Sequence, residues 1–458
     1  MGTMPIGKLL ISMSLPMIVS MLVQALYNVV DSMFVAQLSE NALTSVSLAF
    51  PFQNLMIGIA VGTGVGVNAL LSKSLGEKNY EAANKTAVNS LFLAGMSYIV
   101  VAVLALLLAR PFFTMQTTDT AIVDDGIAYL LICCVGSFGM FFVITLEKLL
   151  QSTGRTLYSM VTQMVGALIN IVFDPIMIFG LFGFPKMGVA GAALATILGQ
   201  IVSAGLALYF NLTQNTDIQI SFKGFRPDMG VIRRIYAVGI PSIIMTSIGS
   251  VMNFGMNKIL IGFTPTATAV FGVYFKLQSF VFMPVFGINN GMVPIISYNY
   301  GARNRRRITD TIKYSMVYAT CIMLTGLAVC WLFTPQILGI FNASQTMLDI
   351  GIPAIRTISL SYTFAGVAVV TLSVCQALGR GMLSLIVSTI RQVGVLLPLA
   401  YVLSKVGGLS AVWLAYPVAE VISVLLCVFF LRRLYKETIQ PLDLPLEGGQ
   451  AAQPVYEV

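Results

Sequence analysis

The sequence predicts an all-α integral membrane protein of twelve transmembrane helices, arranged as two parallel six-helix repeats around a central cavity. Three observations predict this fold: an apolar composition, twelve long apolar runs, and a pattern of polar residues and glycines that recurs after 225 positions. Hydrophobic residues make up 57% of the 458 residues and charged residues 10%, whereas soluble domains carry about 25% charged residues. A lipid bilayer accommodates this much apolar surface, and water does not.

Polar or Gly/Pro-rich turns separate the apolar runs. Each run has about the 20 residues that a helix needs to cross the hydrocarbon core. The predicted helices of the first half cover residues 9–38, 46–71, 88–109, 127–150, 158–182 and 187–210. Those of the second half cover residues 232–262, 269–297, 309–333, 352–376, 383–404 and 408–431. The first run is too long for the core of a signal peptide, so we assign it as the first helix.

The basic residues predict the orientation. The termini and the loops after even-numbered helices hold 19 of the 26 lysines and arginines, and the opposite loops hold three. By the positive-inside rule, both termini lie in the cytoplasm and the chain is a multi-pass protein of the cell (inner) membrane. This asymmetry accounts for the net charge of +8. We therefore expect no nucleic-acid partner. We expect the protein to interact with the lipid bilayer and to be a monomer.

A shift of 225 residues superimposes the two halves of the chain. It places Pro16 on Pro241, Asn28 on Asn253, Gln53 on Gln278, Gly62 on Gly287, Gly66 on Gly291 and Gly76 on Gly301. With six helices in each repeat, both halves enter the membrane in the same direction, so the repeats are parallel. We predict an N-terminal lobe (residues 1–210), a cytoplasmic linker (211–231), a C-terminal lobe (232–435) and a flexible cytoplasmic tail (436–458).

Carboxylates inside the apolar runs are the first candidate functional residues. A charge in the membrane costs at least a few kcal/mol, so each indicates a function unless a basic partner neutralises it. Asp31 and Asp174, here called the carboxylate pair, lie at matching depth in the first and fifth helices, and Tyr27 and Asn170 lie one turn before them. Two adjacent carboxylates in a low dielectric do not readily both ionise, which favours proton coupling. The alternative is a hydrogen-bonded staple between the two helices.

Several short motifs recur in a fixed order along the chain: LYNVVD at residues 26–31, SLGE at 74–77, QSTGR at 151–155, Asn170 with Asp174-Pro175, and YNYGA at 298–302. Together they resemble the multidrug and toxic compound extrusion (MATE) transporters, in the prokaryotic branch with an aspartate pair in the N-terminal lobe. The resemblance covers about residues 8–435.

The resemblance implies a V-shaped cavity between two lobes and the secondary active export of lipophilic organic cations in exchange for protons or sodium. The carboxylate pair, Asn170 and Tyr27 are then the coupling residues, and the coupling ion is transported rather than held as a cofactor. The C-terminal lobe has Met256 and Leu399 where the first lobe has the carboxylate pair. We therefore expect coupling in the N-terminal lobe.

Other residues are candidates for the substrate cavity or its inner gate. They are Glu147, Gln151, Met33, Met177 and Phe280. Flexible methionines and flat aromatic rings suit a promiscuous cavity, although such residues also serve ordinary packing. Glu147 has a second interpretation, as a snorkelling residue paired with Lys148 or Arg155.

The main alternative function is a lipid-linked oligosaccharide flippase of the same superfamily. Four intramembrane cations favour it: Lys258, Lys276, Arg356 and Arg391. The number of helices and the carboxylate pair favour drug export instead. We expect Glu420 to pair with Arg391 or Lys276. The chain has no histidine, no acid-rich metal motif and no nucleophile constellation, so we expect neither an enzyme nor a metal or other cofactor.

Overall fold

The computed structural model describes residues 1–38, 40–341 and 343–443. The first half contains helices α1 (Ile6–Ala36), α2 (Glu40–Gly76), α3 (Tyr80–Thr114), α4 (Thr120–Val135), α5 (Phe138–Ser152), α6 (Thr156–Phe179) and α7 (Val189–Thr213). The second half contains α8 (Met229–Ile261), α9 (Pro265–Gly301), α10 (Arg305–Ile340), α11 (Gln345–Ser359), α12 (Tyr362–Ala377), α13 (Gly381–Thr389), α14 (Leu397–Val406), α15 (Gly408–Val412) and α16 (Ala415–Leu434).

Short irregular helices complete these elements. A π-helical segment, Ile390–Leu396, joins α13 to α14 and makes one span of the three. After α16 the chain continues in turns over Tyr435–Ile439 and Gln440–Asp443. The rest of the predicted tail, residues 444–458, lies outside the described residues.

Two of the membrane spans are bent. α4 and α5 meet at 43°, and α11 and α12 meet at 48°. The breaks fall at Ser137 and Ser361, close to equivalent positions of the two repeats. With each bent pair counted as one span, the described part of the chain has twelve candidate membrane spans. The predicted all-α fold with two lobes is confirmed, although most helices extend past the predicted boundaries into the loops.

The side chains that cap the helices also follow the repeat. Asn79 accepts a hydrogen bond from the Ala82 backbone N–H at the start of α3, and Asn304 accepts one from the Arg307 N–H at the start of α10. Asp119 and Ser344 cap α4 and α11 in the same way. Each cap satisfies backbone donors that a helix start leaves free. Helices α3 and α4 in the first half, and α10 and α11 in the second half, therefore begin with capping side chains at equivalent positions of the repeat.

The two lobes meet mainly where α1 packs against α9 and α2 packs against α8, and α2 also packs against α9. A Cβ atom at Gly62 would lie 2.8 Å from the Ile243 backbone nitrogen, and one at Gly287 would lie 2.7 Å from the Cα of Ile18. The second contact is the first one shifted by 225 residues in both partners. Glycine allows this close approach of the helix backbones. We call these paired contacts the closure.

From these contacts the lobes stay in close contact towards the end of the bundle that carries the N-terminus and the Arg305–Arg307 run, here called the basic end: Gly66 lies against Ile235, and Gly76 lies against Tyr298. The Arg307 guanidinium of the C-terminal half donates hydrogen bonds to the backbone carbonyls of Met1 (2.7 Å) and Met4 (2.8 Å). Lys73 lies over the Tyr300 ring at 5.1 Å. Burial, with the nearby Arg307, lowers the pKa of the Met1 amino group. The basic end is therefore sealed by contacts between the lobes.

Towards the opposite end the lobes separate. Phe254 lies eleven residues, about three turns, after Ile243 on the same face of α8, yet it is 71% exposed. Val29 on α1, Leu55 on α2 and Phe280 on α9 continue the contact faces of their helices and are also exposed. A gap lined by apolar side chains therefore opens between the lobes at the end away from the closure.

Candidate functional site

The carboxylate pair lies inside the N-terminal lobe, where α1 packs against α6. The Asp31 and Asp174 side chains lie close to each other, and Asp174 is fully buried. A hydrogen bond between two such carboxyl groups would require a proton on one of them. The Oδ1 atoms of both residues are buried without a hydrogen-bond partner. Such orphaned oxygens are costly unless a proton or a cation satisfies them.

Asn170 positions Asp174 from one turn away on α6. With the Asn170 amide nitrogen turned towards Asp174, it donates to Asp174 Oδ2 at 2.9 Å. The amide oxygen then accepts from the Thr196 backbone N–H at 3.2 Å and hydroxyl at 3.0 Å, on α7. The opposite orientation would set an oxygen against the carboxylate, so this network assigns the amide. Three helices thus hold the site: α1, α6 and α7.

Further polar groups surround the carboxylate pair. Tyr27 lies beside both carboxylates, and Gln24 lies close to Tyr27. Gln53 on α2 donates to the Tyr129 hydroxyl at 3.2 Å and to the Cys133 sulfur at 3.5 Å on α4. The lobe interior therefore has amide, hydroxyl and carboxylate oxygens that suit a proton or a small hard cation. Among the described residues, no cluster of three or more Cys, Asp or Glu could hold a metal.

Glu147 and Gln151 lie in a separate cluster near the basic end. Glu147 accepts hydrogen bonds from the Thr162 hydroxyl (2.8 Å) and the Gln163 amide (2.7 Å) of α6. Eleven residues separate Gln163 from Asp174, which is about 16 Å along the helix axis. The cluster and the carboxylate pair are therefore two sites in one lobe, joined by α6.

The two basic residues that the second interpretation pairs with Glu147 have other partners. Arg155 pairs with Asp217 at 3.5 Å, and Lys148 donates to the amide oxygens of Gln151 and Asn290. The pairing of Glu147 with Lys148 or Arg155 is therefore wrong. Lys148 adjoins Glu147 in sequence, but successive residues of a helix point about 100° apart.

The three cavity candidates differ in their surroundings. Met33 lies in the last turn of α1 and Phe280 lies on the gap-facing side of α9, and both are exposed. Met177 is half-buried near the end of α6, where its backbone oxygen accepts from the Met187 N–H at 3.1 Å. Phe280 therefore lies beside the gap, Met33 is exposed near the end of α1, and Met177 lies against the start of α7.

The intramembrane cations have different partners. Arg391 pairs with Glu420 at 3.1 Å, which confirms the expected pairing. Arg356 lies over the Trp331 ring at 6.0 Å, and Lys276 lies over the Phe341 ring at 5.7 Å. Lys258 is exposed near the end of α8. One of the four is thus neutralised by a buried carboxylate, and two rest on aromatic rings.

Sequence reasoning missed several residues of the site. Thr196, Gln53 and Tyr129 are polar groups on other helices, and their approach to the carboxylate pair depends on packing. Two signals point to them. Thr196 is a hydroxyl in the run of small apolar residues that begins α7, and Gln53 recurs as Gln278 in the second repeat.

Comparisons with known proteins agree with this architecture. The sequence profile of the MatE family matches residues 16–176 and 241–402, one segment in each repeat. The chain is 24% identical over 437 residues to the FAD transporter of Shewanella oneidensis, with 94% of this chain and 95% of that protein covered. It is 23% identical over 448 residues to the multidrug export protein MepA of Staphylococcus aureus, with 96% and 97% covered.

Solved structures resemble the whole chain as well. An outward-facing multidrug resistance MATE transporter of the MOP superfamily superimposes with a TM-score of 0.90 at 26% identity, covering 96% of this chain and 97% of that one. A MOP superfamily transporter from Pyrococcus furiosus, described as having a binding pocket of reverse polarity, gives a TM-score of 0.89 at 26% identity and the same coverage. The two-lobed fold, the repeat and the profile matches lead to one conclusion: the chain belongs to the MatE family of membrane transporters.

Proposed function

We propose that this protein is a secondary active antiporter that exports lipophilic organic cations in exchange for protons or sodium. The observation that carries the proposal is the carboxylate pair, whose two side chains lie close together and each keep one buried oxygen without a hydrogen-bond partner. The substrate class is supported by the relatives named as multidrug exporters. They do not favour the oligosaccharide flippase. We further propose that the protein works as a monomer in the cell membrane.

The orientation gives the direction of transport. If the basic end faces the cytoplasm, as the positive-inside rule predicts, the gap between the lobes opens to the outside. Ions from outside then reach the N-terminal lobe and neutralise the carboxylate pair, which removes the negative charge that attracts a cationic substrate. The substrate leaves, and the ion travels inward when the lobes rearrange. A pH unit supplies about 1.4 kcal/mol, and 100 mV about 2.3 kcal/mol per charge moved.

The test is ethidium transport into or out of proteoliposomes with an imposed pH or sodium gradient. Asp174→Asn keeps the size and much of the hydrogen bonding of the side chain but cannot gain or lose charge. We expect it to abolish gradient-driven transport while the protein still assembles in the membrane. Asp310→Asn, an exposed acid of α10 paired at 3.9 Å with Arg306, is the matched control and should transport normally.

The gradients separate the two coupling ions. Transport driven by a pH gradient without sodium identifies the proton, and transport that requires a sodium gradient identifies sodium. Equal ethidium transport by Asp174→Asn and the parent protein would show that the pair does not couple transport.

A second candidate function is the export of anionic aromatic compounds. In the part of the C-terminal half away from the closure, basic side chains outnumber acidic ones. The basic residues are Lys258, Lys276, Arg356, Arg391 and Lys405, and the acidic residues are Asp349 and Glu420. Lys276 is exposed and lies one turn from Phe280 on the gap-facing side of α9. A cation beside an aromatic ring suits a ligand with an anionic group and a flat ring. The FAD transporter relative and the neighbour with reversed pocket polarity support this candidate.

Transport of FAD and of ethidium, each measured alone, decides between the candidates. If the substrate is anionic, FAD is transported and ethidium is not, and Lys276→Gln raises the apparent KM for FAD. Lys186→Gln, which removes an exposed lysine after α6, is the control and should leave the KM unchanged. If the substrate is cationic, FAD is not transported and Lys276→Gln leaves ethidium transport intact.

A further inference from the structure

Lys148 is a buried cation at the junction of the two lobes. It lies on α5 and is 7% exposed. Its Nζ donates to Gln151 Oε1 at 2.9 Å within the first lobe, and to Asn290 Oδ1 on α9 of the second lobe at 2.9 Å. Among the described residues, Lys148 takes part in no ion pair. Its charge is therefore held by two neutral amide oxygens, one from each lobe.

Neighbouring residues leave space for the Lys148 side chain and orient its hydrogen-bond partner. A Cβ atom at Gly64 of α2 would lie 2.9 Å from the Lys148 Cγ, so the side-chain stem passes over a glycine. Gln151, whose oxygen accepts from Lys148, donates through its nitrogen to the Ser159 hydroxyl at 2.9 Å. These contacts set the direction in which the Gln151 amide points. The ammonium is thereby aimed at Asn290 across the boundary between the lobes.

This contact does not follow the repeat. The positions equivalent to Lys148 and Asn290 are Ser373 and Val65, which cannot form a charged hydrogen bond. The glycine contacts of the closure, in contrast, occur in both copies. A buried charge in a membrane protein costs several kcal/mol and indicates a function. The Lys148–Asn290 bond is therefore an addition to a closure that the glycines already form.

We propose that the hydrogen bond between Lys148 and Asn290 is a polar lock that holds the lobes together at the basic end, and that it breaks each time the protein opens there. Asn290 moves with α9 and Lys148 moves with α5, so separating the lobes parts the two groups. Water then hydrates the ammonium and offsets the lost bond. A neutral partner keeps the lock reversible, because an ion pair in the same place would be harder to break. The lock rests on the proposed transport function only in that the lobes alternate.

The test uses two opposite substitutions of one residue. Asn290→Asp converts the lock into an ion pair with Lys148, and Asn290→Leu removes it. Spin labels at Glu81 and Arg306, exposed and equivalent positions at the start of α3 and α10, report the separation of the lobes at the basic end. The exposed Cys321 is replaced first. Ser373→Ala is the matched control on the repeat-equivalent position.

We expect Asn290→Asp to enrich the short label distance and to lower transport turnover by about tenfold, or about 1.4 kcal/mol, with little change in KM. Asn290→Leu should enrich the long distance, Lys148→Met should do the same, and the two together should shift it no further than either alone. Ser373→Ala should match the parent protein.

Other outcomes distinguish a failure of the lock from a failure of the proposed transport function. Identical label distances in the parent, Asn290→Asp and Asn290→Leu would overturn the lock, as would additive effects of Lys148→Met and Asn290→Leu. The label distances do not depend on the substrate or the ion. A protein that shows the expected distances but moves no dye would therefore retain the lock and refute the proposed function.

Discussion

Placing a methyl group in the closure should shift the protein towards the state that is open at the basic end. A Cβ atom at Gly62 would lie 2.8 Å from the Ile243 nitrogen, about 0.7 Å short of an ordinary contact of about 3.5 Å. Overpacking of this kind costs about 1–3 kcal/mol. The strain exists only while the closure is formed, so Gly62→Ala should raise the ratio of open to closed molecules by about 5- to 150-fold.

The repeat supplies an internal check on this reasoning. Gly287 makes the equivalent contact with Ile18, so Gly287→Ala should produce a shift of similar size in the label distance between positions 81 and 306. Gly272 lies on the same helix as Gly287, and a Cβ atom there would meet nothing within 4 Å. Gly272→Ala should leave the distance unchanged. The same distribution of distances for all three substitutions would show that steric strain at the closure does not shift the equilibrium.

Three further outcomes are expected. Cationic-drug affinity should fall as the pH is lowered, because substrate and proton compete for the carboxylate pair; a double Asp→Asn variant of the pair that keeps this pH dependence would contradict the competition. A cysteine at Asp119 should react with an impermeant thiol reagent added to cells, and one at Arg306 should not; the reverse pattern would invert the proposed orientation. Glu420→Gln should destabilise the protein by about 3–5 kcal/mol by leaving Arg391 partly buried without its counter-charge, and an unchanged melting temperature in detergent would argue against a structural role for the pair.

The sequence was sufficient to predict the membrane spans and the repeat, because both can be recognised from the order of residues along the chain. Apolar runs of spanning length and glycines in a constant register do not require knowledge of which helices touch. The approach of Asp31 to Asp174 was also predictable, since both are acids at matching depth in helices of one lobe. Bends inside the fourth and tenth spans left no comparable signal, because the apolar character continues through Ser137 and Ser361.

Side-chain partners were predicted less well. One of the two interpretations of Glu147 paired it with a basic residue nearby in the sequence, whereas its partners Thr162 and Gln163 come from the next helix. Thr196 joins the carboxylate pair from a third helix, and Asn290 reaches Lys148 from the other lobe. Such contacts depend on helix rotation and on the closure between lobes, which hydrophobic periodicity does not determine.

The two bent spans have a consequence for the history of the chain. Bends of 43° and 48° at nearly equivalent places in the two halves are most simply inherited from one ancestral six-helix unit that was bent before its gene was duplicated. The carboxylate pair and Lys148 have no counterparts in the second half, where Met256, Leu399 and Ser373 stand instead. The bent spans are therefore a feature that both halves kept from this unit. The carboxylate pair and Lys148 are features that distinguish the first half from the second after the duplication.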